Sequence, residues 1–135
     1  MKRLLLAACV IAGTAHAQGI DGTEYQKLKA TSECAFIANT MKPGTLSQET
    51  VQKTFDAALQ TFRRDTPLLT GTAYTPSPET LAIDFAIHYQ QMTSDVNDDM
   101  LQAIHAQGLP LAPESWFTVA SQFWMSRNCA LIVGR

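Results

Sequence analysis

Apolar residues recur along this chain at intervals of three and four, and no stretch alternates with the period of two that marks a half-buried strand. The pattern predicts helices. The first runs from about Thr23 to Met41, with Leu28, Thr31, Ala35 and Ala38 in one stripe and Cys34, Ile37 and Met41 beside it. Pro43-Gly44 stops it. The second opens at Ser47, a side chain suited to capping a helix N-terminus, with Leu46 placed to pack on Val51. Val51, Phe55, Ala58, Leu59 and Phe62 share its inner face, opposed by Gln52, Lys53, Asp56, Gln60 and Arg64. Asp65-Thr66-Pro67 is expected to end it, leaving an irregular stretch to about Thr75.

Ser77-Pro78-Glu79 opens the next helix with a capping hydroxyl, a proline in the first turn and an acid near the positive helix end. Leu81, Phe85, His88 and Met92 then recur at helical spacing, and Ile83, Ala86, Ile87 and Tyr89 widen the apolar arc, as expected of a central helix. Ser94 either caps a new segment whose Val96, Met100 and Ile104 face inward, or lies inside one helix that continues to about Gln107. Gly108 and Pro110 end it in both cases. A last helix begins at Pro113-Glu114 and carries Trp116, Val119, Ala120, Phe123 and Trp124; the apolar run 129–133 reads equally as helix or extended tail. These elements predict an all-α bundle of four to five helices in one domain over 18–135.

Residues 1–17 stand apart from that pattern. Lys2 and Arg3 precede an apolar run from Leu4 to about Gly13, and Ala15-His16-Ala17 has the small residues of a cleavage site. The segment reads as a secretory signal peptide cut after Ala17, and its short basic start favours the periplasm. The rival reading is a lipoprotein box at Leu6-Ala7-Ala8-Cys9, which would place a lipid on Cys9. The apolar run is too short to span a bilayer, for which about 20 residues are needed, so no membrane span is expected.

Export changes what the cysteines mean. Once the leader is removed only Cys34 and Cys129 remain, and an oxidising compartment favours their pairing over two buried thiols. A bond between them would make the first and last helices neighbours, because the Cα atoms must lie within about 7 Å. The whole chain carries a formal charge of -2, and loss of Lys2 and Arg3 makes it more acidic still. A nucleic-acid partner is therefore not expected.

Candidate chemistry is sparse. His88 and His105 have no zinc-ligand spacing, so no metal or other cofactor is expected. His88 reads as a core histidine within reach of Asp84, and His105 as exposed. Asp95-Val96-Asn97-Asp98-Asp99 starts like a calcium loop, but Met100 replaces the turn glycine and Ala106 the closing acid. Asp95, Asp98 and Asp99 then either complement a helix N-terminus or form an acidic edge for a basic partner. Leu68, Leu69 and Tyr74, in the stretch 66–77, either anchor a partner or fold back over the bundle. Glu114-Ser115 resembles the Glu-Ser pair that carries the acid in lytic transglycosylases, without that family's glycine-rich pattern; helix capping is the simpler role for Glu114.

A signal peptide, a small helical domain with paired cysteines and a first helix reading Cys34-Ala35-Phe36-Ile37-Ala38-Asn39 together resemble periplasmic immunity proteins against type VI secretion amidases. The resemblance implies a protein, often a homodimer in that family, that occludes the active site of a secreted peptidoglycan-cleaving toxin and is itself no enzyme. Two alternatives remain: a small periplasmic stress chaperone that exposes apolar surface in acid, and a peptidoglycan-acting enzyme using Glu114.

Overall fold

The computed structural model describes residues 19–134, so the leader and cleavage site expected over 1–17, and Cys9, lie outside the described residues. Five helices follow one another: α1 (Gly22–Thr40), α2 (Gln48–Thr70), α3 (Pro78–Ala106), α4 (Pro113–Ser126) and α5 (Cys129–Val133). Three of them start where a short polar side chain accepts a backbone N–H of the first turn. Asp21 accepts from Glu24, Ser47 from Thr50 and Ser77 from Thr80. Gly71 closes α2 in the left-handed conformation, with its N–H bonded to the Pro67 carbonyl at 2.9 Å. Among the described residues no helix is long and apolar enough to cross a membrane.

The central element is α1, which packs against each of the other four helices. It is buried almost all round from Leu28 to Ala38. Its small residues permit this: Ser32, Cys34, Ala35 and Ala38 occupy little volume, so neighbouring helices approach closely. The buried hydroxyls of Thr31 and Ser32 donate to the Leu28 carbonyl, at 3.1 and 3.3 Å. The expectation that the helix after Ser77 is central is therefore corrected. Only its C-terminal half enters the core, through Thr93, Val96, Met100 and Ile104.

Around α1 the core gathers Ile37, Met41, Val96, Met100, Ile104, Val119 and Ala120, with Trp116, Phe123 and Trp124 packed on its rim. The Cys34–Cys129 disulfide lies inside this cluster, joining α1 to α5 with the Cα atoms 5.4 Å apart. First and last helices are neighbours, as the pairing requires. Such bonds persist in oxidising compartments, so the cystine points to an exported environment.

Three local readings are settled by the backbone. Ser94 does not break α3; its hydroxyl donates back to the Gln91 carbonyl at 3.1 Å, and one helix runs through it. The run 129–133 is helical, entered through Asn128 at φ 54°. The proline signal misplaces the end of α2, which continues past Pro67 for its last turn. Pro67 deprives the Arg63 carbonyl of one intrahelical donor, but so near the helix end the loss is confined to one bond. Leu68 and Leu69 are thus helical and do not belong to a loop.

Candidate functional site

Two regions gather the polar and exposed apolar side chains that the pattern singled out. The first is an ionic seam where α1, the middle of α3 and the end of α4 meet. Lys29 donates to Asp95 at 2.5 Å and lies 3.9 Å from Glu33. Arg127 bridges Glu33 at 2.5 Å and Asp99 at 2.7 Å, with its guanidinium 5.2 Å from the centre of the Phe123 ring. Asp98 lines the same recess. The seam flanks the cystine in sequence, since Glu33 precedes Cys34 and Arg127 lies two residues before Cys129.

Electrostatics rank these pairs. Burial raises the Glu33 carboxyl above the usual carboxylate range, and the opposing pull of Arg127 and Lys29 does not cancel it. The hydrogen bond from Lys29 holds Asp95 below that range and raises Lys29 in turn. Asp95 and Asp99 are engaged within the fold, and they lie in the interior of an unbroken helix, away from any helix N-terminus. The helix-capping reading of the acidic run is corrected, because the run sits in mid-helix. Asp95 and Asp99 tie α3 to α1 and to the end of α4.

The second region is the arm formed by the end of α2, the connection 71–77 and the first half of α3. Rings fill the gap between its helices. Phe62 of α2 contacts Tyr74, Phe85 and His88, with ring centres 5.8, 5.7 and 4.8 Å apart, and Phe55 contacts Tyr89 at 5.7 Å. Tyr74 folds back onto the bundle, half-buried, and its hydroxyl donates to Asp84 at 2.9 Å. Burial and that bond raise the Tyr74 phenol. Asp84 is therefore committed to Tyr74, not to His88 as its spacing suggested. Leu68 and Leu69 stay exposed, at 47% and 50%, as do Ile83 at 61% and Ile87 at 53%.

Protein-family models, curated proteins and solved structures yield no match to this chain.

Asp65 is the group that sequence reasoning missed. It is fully buried, and Arg64 holds both its oxygens, Nε to Oδ1 at 2.6 Å and Nη2 to Oδ2 at 3.0 Å. The same Nη2 reaches Glu24 on α1 at 2.6 Å. A signal was present: Asp65 continues the inner stripe of Ala58 and Phe62, seven and three residues on. Of the remaining candidates, His105 is exposed, and Glu114 is exposed in the first turn of α4 beside a buried Ser115. Among the described residues no three His, Cys, Asp or Glu side chains converge as a metal site would require.

Proposed function

We propose that this chain is a periplasmic binding protein that inhibits a secreted peptidoglycan amidase by covering its active-site cleft, the role implied by its resemblance to type VI immunity proteins. The leader 1–17 would deliver it, and the cystine suits that compartment. The observation that carries the reading is the exposure of Leu68 and Leu69 on the last turn of α2. A helix presents them, so little conformational entropy is lost when a partner's pocket receives them. Half of the large apolar residues exposed in the described region, Leu68, Leu69, Ile83 and Ile87, belong to this one arm. Asp95 and Asp99 each hold a cation of the fold while their side chains stay 67% and 51% exposed, so with Asp98 they still present an acidic edge.

Co-purification with any secreted peptidoglycan amidase found encoded beside this chain tests the surface. The wild-type protein is expected to retain the amidase. Leu68→Glu with Leu69→Glu should weaken binding at least about tenfold, because two carboxylates would have to be buried without partners. Unchanged affinity in the double variant would remove the arm from the interface. Absence of any complex with the wild type would remove the proposal.

A further inference from the structure

The ring-filled gap between α2 and α3 contains one group that hydrocarbon packing does not explain. The His88 side chain lies against Phe62 and Phe85, and its Nε2 is buried with no hydrogen-bond partner among the described residues. The titratable and charged groups on the surrounding elements are few. From α2 come Asp65, already held by two bonds from Arg64, and Arg63, which acts on Tyr74. From the connection comes Tyr74, bonded to Asp84. From α3 itself come Asp84 and Tyr89, whose phenol burial raises strongly. None of them accepts a proton from Nε2 in the closed arrangement.

The two halves of α3 are also held differently. Residues of its C-terminal half are fully buried in the core, whereas the first half meets α2 through rings and exposes Ile83 and Ile87. Segments with few buried apolar contacts open at lower free energy than a core. We propose that His88 is the trigger of an acid-sensitive latch: a proton on its buried ring releases the first half of α3 from α2 and uncovers Phe55, Phe62, Phe85 and Tyr89. This goes beyond amidase inhibition, and depends on no partner.

The sign follows from burial. Desolvation holds the His88 imidazole below its ordinary 6.5, and the nearby Asp65 only partly offsets it. The closed arm thus favours the neutral ring and the open arm the charged one. The stabilisation is complete above pH 6.5 and is lost as pH falls through the lower value of the closed state. Between the two values the open population rises by up to about tenfold per pH unit, the limit for one proton.

Hydrogen exchange read by mass spectrometry on the intact protein tests the latch, with rates corrected for intrinsic pH dependence. Between pH 7.5 and 5, peptides within 78–92 should lose protection relative to α1, by no more than the roughly thirtyfold that one proton allows between 6.5 and 5. His88→Phe should keep that protection at both pH values, and His105→Gln should behave as the wild type. No loss in the wild type, or an equal loss in His88→Phe, overturns the latch. A ring titration of wild-type His88 by NMR, assigned through its contact with Phe62, gives a second reading that needs no variant. A midpoint below 6.5 that coincides with opening is expected, and a midpoint at or above 6.5 overturns the latch.

Discussion

Replacing Cys34 and Cys129 together by alanine should lower the free energy of unfolding by about 4 to 5 kcal/mol in the chain-entropy account of disulfides. The bond joins residues 95 apart, so its loss frees nearly the whole described chain in the unfolded state. Both cysteines are buried in the core, so the alanines also leave small voids at the α1–α5 contact. The structural consequence should be graded. With five residues, α5 is far too short to persist alone and is held in place through Cys129. Arg127 sits two residues before that anchor, so its bridges between α1 and α3 should loosen next. Urea unfolding of the oxidised wild type and the double variant measures the difference. A loss below about 1 kcal/mol would mean that packing alone fixes the α1–α5 contact.

Ile37→Ala carries the second large effect. Ile37 is wholly buried on α1, the one helix that touches all the others. Truncation there removes buried methylenes and leaves a void in the cluster it shares with α3, α4 and α5, a loss of about 3 to 4 kcal/mol. Ile83→Ala makes the matching control. The same chemical change on the exposed face of the arm should move stability by less than about 0.5 kcal/mol. Comparable losses at the two positions would show that the first half of α3 is packed as firmly as the core. That would contradict both its role as a contact surface and its freedom to open.

The pattern of apolar positions made the helices and their starts readable, because a cap and a three-to-four repeat are local features. Ser47 and Ser77 cap where their sequence context says, and Asp21 provides a third cap. Packing rank was not readable. The residues that let α1 sit at the centre are small or polar, so hydrophobicity points instead to the aromatic first half of α3, where Ile83 and Ile87 face solvent. Proline misled for a related reason. Its cost depends on how many carbonyls it orphans, and at Pro67 the helix is already ending.

Sequence spacing located the charges but not their partners. Asp95 and Asp99 suggested a cluster only because they are close in sequence, while their cations, Lys29 and Arg127, come from distant helices. Asp84 lies one turn before His88, yet the Tyr74 hydroxyl claims it from across the connection. These are long-range pairings that no local periodicity encodes. Asp65 is the instructive exception, since its place on the inner stripe of α2 marked it for burial and its neighbour Arg64 supplied the charge that burial demands. Cys34 and Cys129 were readable as a pair only because residues 1–17 read as a leader to an oxidising destination.

One assay reaches the centre of the functional proposal: digestion of purified peptidoglycan by a secreted amidase of the proposed class, with the oxidised protein added in increasing amounts. Fragment release should fall to background near stoichiometric addition, and the protein alone should release nothing. Undiminished digestion at saturating protein, or fragments released without any amidase present, would contradict inhibition by shape.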